Sequence, residues 1–389
     1  MTSPAERIQR LPRYVFDIIG ENIRAMQQRG IEVYRLDIGN PDLPPPDFVS
    51  DALAASAHNP KKHGYSGYRG TPGFRQAVAR YYQKRFGVTL NPETQILPLL
   101  GSKEGIVNLS LAYLDRGDVA LVPDVSYPSY ALGAALANAE VKWLPTRAEN
   151  GFLPDWSYLT PDDLHRAKLL WVNYPNNPSG AVASLDFFQN ALDLCRQHDI
   201  VLVSDNPYCD VLFDGYQAPS LMQLEGASDH AIEFMSLSKT YNMAGWRLGA
   251  AVGSTESIAL LLQIKSNVDS GHFAPIYDAG IVAIDQVSDE WIKERNLVYQ
   301  RRRDKIMAVL SRVGLAAETP KATLYIWARP LEMSAADYLA QSLEQAYVSF
   351  GPGAAYGPGG EDYIRISLTI DDQKLDLALA QLEAWYTAR

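Results

Sequence analysis

Cysteine is scarce in this 389-residue chain. The two present, Cys195 and Cys209, form no C-x-x-C pair and share no Cys/His spacing, so the sequence offers neither a disulfide framework nor a zinc module, and no metal is expected. A reducing compartment fits. Long apolar runs are missing too: nothing reaches the roughly 18 consecutive apolar residues of a membrane helix. The opening stretch Met1-Thr2-Ser3-Pro4-Ala5-Glu6-Arg7 lacks the apolar segment of a signal peptide. The expectation is a soluble, cytoplasmic protein. Positive charge is in deficit, with 35 Lys and Arg against 45 Asp and Glu and a formal net charge of −10. That balance argues against a surface built to grip nucleic acid or an anionic membrane. No repeat or low-complexity tract appears.

What the chain does have is alternation on a larger scale. From about Gln95 to Gly253, short runs rich in Val, Ile and Leu alternate with longer amphipathic segments, as in βαβ units feeding a parallel sheet. The predicted strands are Gln95–Leu100, Val119–Pro123, Glu140–Pro145, Lys168–Asn173, Ile200–Asp205, Ala231–Leu237 and Arg247–Val252, with helices over Lys103–Leu114, Ser129–Ala137, Leu185–His198 and Thr255–Lys265. Beyond Ser288 the pattern changes to a long charged helix (Asp289–Val313), a strand (Thr323–Ala328), a helix (Ala335–Tyr347), the alternating run Tyr363–Thr369 and a terminal helix. The fold class expected is α/β: a doubly wound, mostly parallel seven-stranded sheet with a smaller α+β domain. The Pro-rich stretch from Pro41 to Pro46 can be neither helix nor central strand, and marks the crossing from an N-terminal arm. The division predicted is a large domain at 46–288, with 1–45 and 289–389 forming the arm and the small C-terminal domain.

Open doubly wound sheets bind ligands at the carboxyl ends of their strands, so the polar residues there are candidates. Lys239 follows a buried run and has Arg247 nearby, a setting that lowers an amine's pKa and suits imine formation. An isolated S-x-S-K would equally describe a surface lysine closing a strand, but the extended Ser236-x-Ser238-Lys239-x7-Arg247-x-Gly249 pattern is more specific. Asp205 ends the run Ile200-Val201-Leu202-Val203-Ser204, where a carboxylate is costly to bury without a cationic partner. Its bland alternative is a helix cap. Asn177 lies in the irregular turn Asn176-Asn177-Pro178-Ser179-Gly180, whose composition a plain turn explains as well. Gly101-Ser102-Lys103 opens a helix and could bind an anion or simply cap. Tyr127 by itself reads as core. Arg365 sits mid-strand in Tyr363-Ile364-Arg365-Ile366-Ser367; its planar, permanently charged guanidinium suits a carboxylate, against the alternative of an edge-strand surface arginine.

Taken together, these motifs resemble fold-type I pyridoxal-phosphate aminotransferases of the aspartate aminotransferase superfamily (class I/II), across nearly the whole chain. The resemblance implies that Lys239 carries pyridoxal 5'-phosphate as a Schiff base, that Asp205 in Asp205-x-x-Tyr208 pairs with the ring nitrogen, and that Tyr208 and Asn177 contact the ring's phenolic oxygen. It further implies that Ser102, Lys103, Ser236 and Arg247 belong to the phosphate site, that Tyr127 stacks on the ring, and that Arg365, with Asn177 and Gly39, binds the substrate. Tyr65 resembles the tyrosine lent to a neighbouring subunit's phosphate, which implies a homodimer with shared active sites.

The implied reaction moves an amino group between an L-amino acid and a 2-oxo acid, 2-oxoglutarate being the expected acceptor, by a ping-pong mechanism. Two alternatives stand beside it. A carbon–sulfur β-lyase or related synthase would use the same cofactor cage. A noncatalytic effector-binding module is disfavoured by the acidic charge, the absence of a helix-turn-helix before the arm, and the presence of every residue the chemistry needs. Aspartate-specific relatives present an arginine in the segment that here reads Ser266-Asn267-Val268-Asp269-Ser270-Gly271-His272-Phe273, which has none. The segments Lys265–Gly271 and Pro320–Tyr325 look closer to an LL-diaminopimelate, aspartate or alanine-like branch. His272 is expected to be a surface residue, a pocket donor being the alternative.

Overall fold

The computed structural model describes residues 15–389 together with residues 2, 3, 5, 8, 11 and 13. Its larger sheet has seven strands: β2 (Ile96–Leu99), β3 (Val119–Pro123), β4 (Glu140–Leu144), β5 (Ala167–Val172), β6 (Val201–Asp205), β7 (Ala231–Ser236) and β8 (Gly249–Gly253). They lie in the order β2, β8, β7, β6, β5, β3, β4. Only β8 runs antiparallel to its neighbours. All seven coincide with predicted runs, and their sequences explain why: β3, β5 and β7 are apolar on both faces instead of alternating, because both faces are covered.

One face packs Leu121, Leu170, Leu202 and Met235 against Phe74, Val78, Tyr82 and Phe188. The other packs Ala120, Val122, Trp171, Val203 and Phe234 against Ile106, Leu109 and Tyr130. Trp171 is stacked on Tyr130 at 4.8 Å and on Phe234 at 6.2 Å between ring centroids. The covering helices announce themselves locally. Leu185–His198 is capped by Ser184, whose side chain accepts from the Phe187 amide, and it buries Phe187, Phe188, Ala191, Leu192 and Cys195, a helical stripe.

A second sheet of five strands joins β1 (Tyr34–Leu36), β9 (Leu315–Ala316), β10 (Tyr325–Pro330), β11 (Val348–Pro352) and β12 (Ile364–Ser367) in the order β1, β11, β12, β10, β9. Its core gathers Leu36, Tyr299, Ile326, Phe350, Ile366, Leu375 and Trp385. Here the sequence reading was coarser. The strand expected at 323–328 begins at Tyr325 and runs to Pro330, and the alternating run at 363–369 shortens to Ile364–Ser367. The strands β1 and β11 were not foreseen: three residues are too few to show a period, and Gly351 and Pro352 interrupt the other. Helices Val15–Gln28, Asp47–Ala57, Pro72–Phe86 and Ala274–Gln286 also went unread.

Through β1 the N-terminal segment becomes part of the second sheet, and the Pro-rich stretch after it is fixed by Arg302, which reaches Asp42 at 2.9 Å and Asp372 at 2.9 Å. Residues 37–40 are thereby held against the C-terminal edge of the larger sheet. Among the described residues no helix is long and apolar enough to cross a membrane.

At Gly249 the antiparallel strand β8 passes so close to β7 that an added Cβ would lie 2.6 Å from the Met235 carbonyl oxygen and 3.4 Å from the Ser102 amide nitrogen. Neither neighbour is a flexible side chain. Gly249→Ala is expected to cost about 1–3 kcal/mol, read as a lowered urea midpoint at unchanged m-value.

Candidate active site

A cleft of about 490 Å³ opens between the C-terminal ends of the larger sheet's strands, the segment 37–40 and β12. Gly39, Ser102, Lys103, Tyr127, Asn177, Asp205, Tyr208, Ser236, Lys239, Arg247 and Arg365 all line it. Tyr65 does not; it is 90% exposed.

Lys239 sits in a single helical turn, Leu237–Thr240, that starts where β7 ends; the Ser236 hydroxyl caps it by accepting from the Ser238 amide at 3.2 Å. Its Nζ donates to the Gly39 carbonyl at 2.6 Å. Loss of hydration lowers the amine's pKa, and the nearby Arg365 and Arg247 cations lower it further. From below, Arg295 donates to the carbonyls of Lys239, Thr240 and Asp210, pinning the turn to the segment that carries Tyr208.

Asp205, at the end of β6, is 4% exposed. Its Oδ2 accepts from the Tyr130 hydroxyl at 2.8 Å, while Oδ1, equally buried, has no hydrogen-bond partner among the described residues. Burial raises this carboxyl to about 7, the Glu233 carboxyl adding to the effect and Tyr130 opposing it. The backbone beneath is tied by Asn173, which donates to the Asp205 carbonyl and accepts from the Asn177 amide at 2.9 Å.

At one end of the cleft lies an anion site. Helix Ser102–Tyr113 starts after Gly101 with no side chain capping its free amides. The Arg247 guanidinium lies over Gly101 so closely that a Cβ there would sit 2.3 Å from Nη2, and Gly101 has φ +79°, so glycine is needed on both counts. Lys103 has its pKa lowered by burial and by Arg247.

Contrary to the sequence expectation, His272 is not on the surface: it is 6% exposed. It does not line the cleft either. Its Nε2 donates to the Arg247 carbonyl at 2.7 Å and Nδ1 accepts from the Tyr277 hydroxyl at 3.2 Å, so it holds Arg247 in its left-handed conformation, φ 56°. Burial, which the sequence around His272 does not reveal, lowers its pKa.

At the other end, Arg365 is 5% exposed and has no carboxylate partner among the described residues. Nη1 donates to Asn177 Oδ1 at 2.9 Å and Nη2 to the Asp37 carbonyl at 2.7 Å, while Nε has no hydrogen-bond partner among the described residues. Aromatic rings of Tyr325, Tyr356 and Phe16 surround the guanidinium, with centroids at 4.0, 4.9 and 5.6 Å. Tyr325 also meets Tyr208, hydroxyl to hydroxyl, at 3.0 Å. The sequence reading missed Tyr325, Tyr356, Phe16 and Arg295; only Tyr325 lay in a segment that reading had singled out.

The arrangement fits the expected cofactor. A buried carboxylate oxygen awaits a donor, an uncapped helix start with Arg247 and two serines awaits a dianion, and a partly dehydrated amine lies between. Among the described residues, no group of three His, Cys, Asp or Glu side chains is placed to hold a metal ion.

Comparison with known proteins agrees. A profile of the family described as aminotransferase class I and II matches residues 31–382. The chain is 45% identical to LL-diaminopimelate aminotransferase of Dehalococcoides mccartyi over 379 residues, 97% of each chain. It is 46% identical to the enzyme of the same name from Moorella thermoacetica, again over 97% of each. The solved apo structure of BacF from Bacillus subtilis superimposes with a TM-score of 0.94 at 34% identity, over 99% of this chain and 98% of that one.

The environment of Asp205 yields a pH prediction for the cofactor-free protein. The folded state keeps this proton up to about pH 7, whereas the unfolded chain releases it near a carboxyl's ordinary value, so folding binds protons between those limits. This contribution to stability is complete below the unfolded value and is lost as pH rises through about 7. In Asp205→Asn the loss disappears, and urea midpoints measured between about pH 5 and pH 8 should decline less than in the unaltered protein. Equal declines would show that Asp205 is ionised throughout.

Proposed function

The chain belongs to the class I and II aminotransferases, and on that premise we propose that its amino acid substrate is LL-diaminopimelate and its 2-oxo acid partner 2-oxoglutarate. It is a pyridoxal-phosphate-dependent enzyme that passes amino groups between amino acids and 2-oxo acids. The observation that carries the residue assignments is the convergence of Asp205, Lys239 and Arg365, from three separate elements, on one cleft. The naming of the substrate rests on the two diaminopimelate relatives, matched along nearly their entire length.

When bound, pyridoxal phosphate supplies an aldehyde to take up the amino group and a protonated ring to accept the electrons left when the substrate's α C–H bond breaks. Asp205 would hold the ring N–H with its unpartnered Oδ1, trading a strained neutral acid for an ion pair. Tyr208 and Asn177 would hold the phenolic oxygen, and Tyr127 would cover the ring. The phosphate would take the amides at Ser102 with Lys103, Ser236 and Arg247.

Lys239, its pKa lowered, carries a fraction of neutral amine that can accept the α-proton on Nζ and give it back. The Gly39 carbonyl, 2.6 Å from Nζ, keeps that amine on the substrate side of the cleft. Arg365 and Asn177 would grip the α-carboxylate, fixing which bond faces Lys239. Residues 46–288 would form the cofactor domain, with 1–45 and 289–389 completing the substrate side.

A second copy of the chain would add Tyr65 to the phosphate site. Supporting this, Tyr65 is exposed, as are Tyr68 and Phe273 at 51% and 42%, on the two segments that the hydrogen bond from Ser66 to the His272 carbonyl joins. An apolar patch of this kind suits burial in a homodimer. A cytoplasmic location accords with the paucity of cysteine.

Mixing the holoenzyme with single amino acids and following the loss of the bound cofactor's visible band ranks substrates directly. LL-diaminopimelate should react at least about tenfold faster than alanine or aspartate; release of pyruvate and ammonia without any 2-oxo acid would instead mark a lyase. Lys239→Ala should lose at least about a thousandfold in the same half-reaction. Arg365→Leu should raise KM for the amino acid about 10- to 100-fold, reading the lost bidentate contact.

A further inference from the structure

Tyr325, the first residue of β10, touches three parts of the site at once. Its ring lies under the Arg365 guanidinium at 4.0 Å, the shortest of that cation's three aromatic contacts. Its hydroxyl is 3.0 Å from that of Tyr208, the two rings meeting edge to face at 5.7 Å. The same hydroxyl presses on the backbone that receives Lys239: a Cβ on Gly39 would come within 1.9 Å of it, and the Gly39 carbonyl is the acceptor for Lys239 Nζ. Both tyrosines are buried.

We propose that Tyr325 is the positioning residue of this site, its ring fixing the plane of the Arg365 carboxylate anchor and its hydroxyl, hydrogen-bonded to that of Tyr208, fixing where the Tyr208 phenol sits in the cleft. The proposal rests on the residue assignments above.

The two phenols differ in acidity. Burial works to raise the Tyr325 phenol, but the Arg365 and Lys239 cations outweigh it and hold the phenol below its ordinary value. Tyr208 is pushed well above it, by burial first and then by Tyr325 itself. Either hydroxyl can supply the proton of their 3.0 Å hydrogen bond, and in both cases the bond ties the Tyr208 oxygen to Tyr325. Tyr208 lines the cleft together with Asp205, Lys239 and Asn177. The ring's part is separate. Among the described residues Arg365 has no carboxylate to hold it; its hydrogen bonds go to the Asn177 amide oxygen and the Asp37 carbonyl, and the Tyr325 ring, the nearest π surface, fixes the plane of the fork.

Two substitutions separate the two parts. Tyr325→Phe keeps the ring and removes the hydroxyl; Tyr325→Leu removes both. With holoenzyme of each, two quantities are read: the pH midpoint of the bound cofactor's visible band, and the affinity for a 2-methyl amino acid, which binds but has no α-proton to lose. Tyr325→Phe should move the midpoint by about half a unit or more and cut the half-reaction rate about tenfold, while the 2-methyl amino acid binds within about threefold of the unaltered enzyme. Tyr325→Leu should in addition weaken that binding about tenfold or more. A midpoint unmoved in Tyr325→Phe, or binding weakened equally by both variants, would overturn the proposal. Thermal melting and cofactor content of each variant report whether the fold is intact; a Leu variant that fails to fold leaves the Phe variant's midpoint and affinity to decide. If the unaltered protein takes up no cofactor band at all, the residue assignments fall, and this proposal with them.

Discussion

A carboxylate oxygen with no donor, buried at the end of a central strand, is the constraint around which this site is organised. Asp205 is buried where it stands, and among the described residues its carboxylate receives one hydrogen bond, from Tyr130, where an ionised carboxylate could take several. Without a ligand its group is pushed toward the neutral acid; with a ring N–H beside it the charge is regained. Part of the energy of binding the cofactor would then be stored in the fold as a deficit, and Asp205 would keep the ring protonated, since among the described residues no other donor meets that oxygen.

The rest of the cleft obeys the same rule with opposite sign. Arg365, Lys239, Arg247 and Lys103 all line it, and the Arg365 and Arg247 cations lower the pKa of Lys239. This excess of positive charge, with Lys239, Arg247 and Arg365 each donating to a backbone carbonyl, favours ligands with an anion at each end and an amine in between. Of the acidic residues near Ser102 and Lys103, Glu104 is paired with the buried Lys265, whereas Asp17 lines the cleft and acts on Lys103.

Much of this was legible beforehand because the relevant signals are local. A strand buried on both faces is apolar without alternation, so most strands of the larger sheet stood out, and polar residues following four of them could be named as candidates. What escaped the reading lacks a local signature. Three-residue β1 shows no period. His272 gives no sign in its own segment that it will be buried under Arg247, and Arg295 is one charged residue among many on a long charged helix. Tyr325 looks like an ordinary strand aromatic until β10 and β12 pair and bring its ring beneath Arg365.

The sequence by itself determined the sheet, the motif residues at the ends of its strands and hence the chemistry, since each of these depends on residue type and near neighbours. Only the tertiary structure decided how the two ends of the cleft are held apart, because β12 and the segment 37–40 come from opposite ends of the chain and meet Lys239 through contacts that no local pattern encodes. Protonation was decided there as well: a carboxyl, an amine and a phenol depart from their ordinary pKa values through burial and neighbouring charge, and both are properties of the assembled fold.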